Sequence, residues 1–271
     1  MKIILHVGNE KTGTTSLQKF LAEKFSNGNQ ALYYPTAGRN DVGAHRKLYE
    51  DLIDGDCSYL AEDLRGVTAK NVVISTEAFS FANTRANHAF DAFADLAIKN
   101  EWEVKLVGVI REAAPFMRAL YMEGLNWGWT YDFERFTLRH LTRLYASSLE
   151  DMAERHGWES EFIAYQPTKL LSSFATAISP ELQIEGDLPR SNTTAPLAVA
   201  PILLEANRSF QDIKLTAKIK ELVKNYKPKT TGEFDEDKFF KLTHETSEMI
   251  SKIETTDPIR KRLFGNQDKP D

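Results

Sequence analysis

The opening of the chain constrains the fold most. Lys2-Ile3-Ile4-Leu5-His6-Val7 is a short, nearly continuous apolar run that stops at Gly8. A strand covered on both faces of a parallel sheet requires such a run. From Thr14 the spacing changes. Leu17, Phe20, Leu21 and Phe25 recur at helical intervals and predict an amphipathic helix over 14–25. The turn between them, Gly8–Gly13, has a glycine at each end. Strand, tight turn and helix in so short a stretch form the opening half of a βαβ unit.

The alternation continues downstream. VVIST (72–76), VKLVGVI (104–110) and EFIAY (161–165) read as further strands. Helices are predicted over 85–99, from Pro115 onward, and as one long element from Phe133 to His156 ending at Gly157. Strands alternating with helices imply an α/β fold with a parallel sheet of about five strands flanked by helices. Beyond Pro196 the pattern is mainly helical, with Lys/Glu-rich helices expected at 213–226 and 235–254. The tail 265–271 is polar. The reading is one domain over 1–271, in which 196–271 forms a helical C-terminal part.

Composition removes several classes. Of 271 residues, 42% are hydrophobic and 27% charged, which excludes a disordered or collagen-like chain. With 34 basic and 39 acidic residues the net charge is −5. That disfavours nucleic acid and anionic membrane as partners, although a local basic patch could reverse the sign. Cys57 is the single cysteine, so no internal disulfide can form, which suits a reducing compartment. No apolar window approaches the length of a membrane span, and the N-terminal run is too short for an export signal. The expectation is a cytoplasmic chain without membrane insertion.

The turn carries the chemistry. Gly8-Asn9-Glu10-Lys11-Thr12-Gly13-Thr14-Thr15-Ser16 joins a buried strand to a helix N-terminus, where backbone N–H groups and the helix dipole favour an anion. Gly8 and Gly13 have the spacing of the nucleoside-triphosphatase loop GxxxxGK[ST]. Thr14, however, stands where that loop has Lys, and the only lysine is Lys11, three residues earlier. VVIST also lacks a terminal Asp to organise Mg²⁺. The pattern is a phosphate loop with its cation moved and no evident metal site. An ordinary capped strand–turn–helix is the plain alternative.

HVGNEKTGTTSLQKFLA resembles the 5′-phosphosulfate loop of sulfotransferases that use 3′-phosphoadenosine 5′-phosphosulfate (PAPS), and KTGTTSLQ resembles their bacterial branch. The likeness extends through VVISTEAFS and VGVIREAAPFMRALY, and more weakly through FIAYQPTKL and RSNTT. It implies a P-loop-like sulfotransferase fold, PAPS as co-substrate and a metal-free transfer to a hydroxyl or amine of a small-molecule or carbohydrate acceptor. It assigns donor binding to Lys11, Thr12, Gly13, Thr14, Thr15 and Ser16, with Lys11 at the bridging and sulfate oxygens. Arg111 would hold the 3′-phosphate and Tyr165 would lie near the adenine. The family's serine eight residues beyond that arginine is here Ala119, a departure from the pattern. Its C-terminal Arg-Lys-Gly segment is not visible, and Arg190 and Asn192 are possible substitutes.

The resemblance also implies a general base, a His or Glu near the end of a sheet strand, and Glu77, directly after VVIST, is the first candidate, at a strand carboxyl end where open α/β sheets bind ligands. Glu77 equally suits a helix start. His45, in GAHRKL, is the second candidate base, or else a surface histidine at a helix start. His6, in mid-strand, reads as a core histidine. The aromatic-rich segment Asn126–Tyr131 reads as an acceptor-pocket wall or a hydrophobic plug. A P-loop kinase or NTPase and a non-catalytic nucleotide-binding relative are the rival functions.

Overall fold

Strand β1 (Lys2–Gly8) is paired on both edges, in parallel register with β3 (Asn71–Ser75) and with β4 (Glu103–Ile110). Its side chains alternate between two apolar layers. Ile3, Leu5 and Val7 enter a core with α2 (Arg46–Asp54), α3 (Ser58–Asp63), α4 (Thr84–Lys99) and α7 (Ser147–Arg155). Ile4 enters a second core with Leu17 and Leu21 of α1 (Thr14–Phe25) and Phe174 of α8 (Leu170–Ile178). Burial on both faces explains the nearly continuous apolar run in the sequence.

The computed structural model of the chain describes residues 1–27, 31–55, 57–80, 84–189, 197–210 and 234–265. The fold is α/β, with a five-stranded, all-parallel sheet flanked by helices. β2 (Leu32–Tyr33) and β5 (Glu159–Ala164) close the two edges, giving the order β2-β3-β1-β4-β5. From β1 the chain moves to β2 and β3 on one side, then crosses to β4 and β5 on the other. The order therefore reverses between β1 and β4. The carboxyl ends of the strands flanking such a switch point form the usual ligand crevice of open α/β sheets.

The chain divides into two compact units. The first comprises 1–111, 145–191 and 257–271 and holds the sheet. The second comprises 112–144 and 192–256 and is helical where described. Its core gathers α5 (Ala113–Asn126), α6 (Phe133–His140), α9 (Ala200–Phe210) and the helix His244–Thr256 around Tyr121, Phe136, Leu203 and Ile250. Among the described residues no helix is long and apolar enough to cross a membrane.

Four expectations need correction. The sheet's two-residue edge strand β2 was not foreseen. The helix after β4 starts at Ala113, so Pro115 lies within its first turn and does not open it. The element expected over 133–156 is three: α6, a 3₁₀ turn at Leu141–Leu144, and α7. The break falls where the apolar residues change core, since Leu144 packs in the second unit while Ala146 and Leu149 pack in the first. The expected helix over 235–254 is a short Glu236–Phe239 followed by His244–Thr256, each with its own start. The helix expected at 213–226 lies outside the described residues.

Gly108 of β4 lets the Phe162 ring of β5 lie directly over the backbone, inside the distance a β-carbon needs. Phe162 is nearly fully buried, so it has little room to yield. Gly108→Ala should therefore lower the unfolding free energy by about 1–3 kcal/mol, the usual range for overpacking a core. Urea denaturation measures this, and an unchanged midpoint would contradict the packing.

Candidate active site

The loop after β1 is held by its own side chains. Thr12 is fully buried, and its hydroxyl donates to the Asn9 carbonyl at 2.6 Å, with Thr14 Oγ1 3.2 Å away. Thr12 and Thr14, both expected as donor ligands, are thus spent largely on loop shape. Thr15 and Ser16 are only partly covered. Gly13 is the N-cap of α1 with φ 75°, and no side chain caps the helix. An uncapped helix start presents first-turn N–H groups to an anion.

Gly13 is required for two reasons. Its φ lies in the left-handed region, and a β-carbon there would meet Leu170 Cδ2 at 2.8 Å and Tyr165 Cε2 at 3.0 Å. The start of α1 is therefore packed against the end of β5. Lys11, partly exposed, also has positive φ, 64°, which costs a non-glycine residue on the order of 1 kcal/mol. Arg111, just past the end of β4, donates from Nη1 to the Lys11 carbonyl at 2.9 Å and braces that conformation. Its guanidinium also lies over the Tyr165 ring, 5.3 Å from the centroid. Lys11, Gly13, Arg111 and Tyr165 thus converge at the carboxyl ends of β1, β4 and β5.

One neighbour was missed by sequence reasoning. Arg260, in the helix Pro258–Phe264, is fully buried and donates from Nη1 to the Arg111 carbonyl at 3.0 Å. Asp257 caps that helix, accepting from the Arg260 N–H at 3.0 Å and, through its other oxygen, from the Ser147 N–H at 2.9 Å. Only the Asp-Pro helix start was visible in the sequence; the packing partner was not.

The two candidate bases are in different situations. Glu77, partly exposed, opens the 3₁₀ turn Glu77–Ser80 two residues beyond the end of β3. His45 is fully buried, contrary to the surface alternative. Its Nδ1 accepts from the Ser75 N–H at 3.1 Å, and its Nε2 then donates to the Pro35 carbonyl at 3.1 Å. With both nitrogens committed to backbone, His45 ties the segment before α2 to β3 and has no nitrogen left for an acceptor proton. His6 is the core histidine expected. Its Nδ1 bonds Ser75 Oγ at 2.7 Å, Gln18 Nε2 donates to the same oxygen at 3.1 Å, and its Nε2 is buried with no hydrogen-bond partner among the described residues.

Ala119 is half-buried on α5 in the second unit. Arg190 and Asn192 lie outside the described residues. Among the described residues no group of three or more His, Cys, Asp or Glu is placed to hold a metal ion.

Burial pushes both His6 and His45 down to about 3 from an ordinary value of 6.5. Both are neutral when folded, while the unfolded chain takes up protons below 6.5. Stability from them is therefore complete above pH 6.5 and is lost as pH falls toward 3. Each histidine should remove about 1.4 kcal/mol per pH unit in that window. Denaturant unfolding at pH 7 and pH 5 tests the loss. A His45 proton resonance titrating near 6.5 in the folded protein would overturn it.

No family model, no curated protein and no solved structure matches the chain.

Proposed function

We propose that this chain is a PAPS-dependent sulfotransferase with a P-loop-like sulfotransferase fold. It would transfer a sulfuryl group to a hydroxyl or amine of a small-molecule or carbohydrate acceptor and release adenosine 3′,5′-bisphosphate. The observation that carries the reading is the convergence of Lys11, the uncapped α1 start at Gly13, Arg111 and Tyr165 at the switch point of the sheet. Thr14 in place of the triphosphatase lysine, and Ser75-Thr76 in place of a terminal acid on β3, weigh against phosphoryl transfer from a Mg²⁺-nucleotide.

The chemistry follows from the residues. The 5′-phosphate accepts hydrogen bonds from the first-turn amides of α1 and from the Thr15 and Ser16 hydroxyls. Arg111 holds the 3′-phosphate, and Tyr165 offers a ring to the adenine. The acceptor oxygen forms its bond to sulfur while the bond from sulfur to the bridging oxygen breaks. Negative charge collects on the departing phosphate, and the Lys11 ammonium stabilises it more in the transition state than in the ground state. Glu77 takes the acceptor proton.

Lys11→Ala should lower turnover by ~10²–10³ with the fold intact, as expected for losing one preorganised charge-stabilising donor. Turnover of sulfur-labelled PAPS in excess EDTA is the assay. A loss under about fivefold, or activity that requires Mg²⁺, would remove the proposed role. Glu77→Gln should reduce kcat by ~10²–10⁴ and leave adenosine 3′,5′-bisphosphate affinity nearly unchanged. A fully active Glu77→Gln enzyme would exclude Glu77 as base.

A further inference from the structure

The second unit carries a cluster of arginines that its core does not use. Arg135 and Arg139, one turn apart on α6, both place their guanidinium over the Tyr131 ring, 4.8 and 4.3 Å from its centroid. Both are exposed, and among the described residues neither is in an ion pair. Elsewhere in the chain Arg46, Lys47, Lys105 and Arg118 have carboxylate partners. The local acids are engaged elsewhere. Asp132 caps α6 through the Arg135 N–H, and Glu134 accepts from the Thr243 N–H and from the Thr243 and Thr246 hydroxyls. Like charges one turn apart on a helix repel, and the shared Tyr131 ring holds the two guanidiniums together against that repulsion.

The segment before the arginines is fixed in place. Three successive carbonyls each accept a side-chain donor: Trp129 from Asn207 Nδ2 at 2.9 Å, Thr130 from Arg208 Nε at 3.0 Å, and Tyr131 from the Tyr121 hydroxyl at 2.8 Å. Arg208 adds a third cation beside Tyr131. Trp129 is stacked on His140 and tilted against Phe136, whereas Trp127, at the end of α5, is 76% exposed. Guanidiniums stacked on a ring use their faces and keep their in-plane N–H forks for oxyanions. An exposed indole offers an apolar face to a sugar ring. A fixed loop binds without first losing conformational freedom.

We infer that the Trp127–Arg139 segment, with Arg208, is a binding surface for an oligosaccharide bearing sulfate or carboxylate groups. Arg135, Arg139 and Arg208 take the anionic groups, and Trp127 stacks on a sugar face. The inference is read from residues of the second unit alone and does not rest on the transfer reading. Rings bearing regularly spaced compact anions fit it better than a nucleic acid strand, because the guanidiniums occupy Tyr131 and leave one indole, where a strand needs successive rings for its bases.

Calorimetry on the full chain with a heparin-derived hexasaccharide, neutral maltohexaose, inorganic sulfate and oligothymidylate tests the assignment. The sulfated hexasaccharide should bind and weaken with salt, while maltohexaose and sulfate alone should not bind measurably. Arg135→Ala and Arg139→Ala should each cost about tenfold in affinity, the scale of one charge-assisted hydrogen bond. Arg139→Lys keeps the charge without the fork and should lose several-fold; it decides the matter if an alanine variant fails to fold. Unchanged affinity in these variants, or oligothymidylate binding as tightly as the sulfated sugar, would overturn the inference.

Discussion

Strand β1 is hydrogen-bonded along both edges and buried on both faces, and the placement of the candidate active site depends on that. Its register pairs His6 with Ser75 on one side and Gly8 with Val109 on the other. The loop leaving Gly8 therefore emerges beside the end of β4, where Arg111 is two residues beyond Val109. One step further, Tyr165 N–H donates to the Ile110 carbonyl at 2.7 Å and brings its ring over the start of α1. A slip of one residue in β1 would exchange its two apolar faces and move the loop away from Arg111. Core packing and site geometry are thus set by one pairing.

The buried polar residues make the same point from within. Ser75 is fully buried, yet its oxygen meets His6 and Gln18, its N–H meets His45, and its carbonyl accepts the His45 N–H at 2.8 Å. A buried network of this kind is costly unless its members are satisfied, and it then selects one arrangement of the elements that supply them. Here it joins β1, β3, α1 and the segment leading into α2. Among the described residues its His6 Nε2 has no hydrogen-bond partner.

The sequence made the helix over 14–25 legible to the residue, because a left-handed glycine and a change of period mark its start. The three longer strands around β1 were legible as apolar runs. The edge strand β2 was not, since two residues carry no periodicity. Nor was the break at 141–146: helical spacing persists across it, and only the change of core reveals it. At the candidate site, Lys11, Arg111 and Tyr165 could be singled out one by one from the resemblance, but that they come together could not be read from the sequence. Thr12 looked like a ligand because hydroxyl type is visible in a sequence and burial is not. His45 misled for the same reason. Arg260 was out of reach, because a contact spanning 149 positions leaves no local pattern.

Net charge is a poor guide to local field in this chain. The excess of acids is partly absorbed by helix starts, where Asp132, Asp235 and Asp257 each accept a backbone N–H as caps. A carboxylate in that position stabilises its own helix through the dipole and a hydrogen bond, and is partly neutralised for anything further away. Glu134 is drawn down similarly by two threonines, and its carboxyl stays below the usual range because the hydrogen bonds outweigh desolvation. Cations without such partners then dominate their surroundings within about a Debye length, ~8 Å at physiological salt. An acidic chain can in this way present a cationic face, provided its carboxylates are fixed by backbone N–H groups and hydroxyls and not by the arginines themselves.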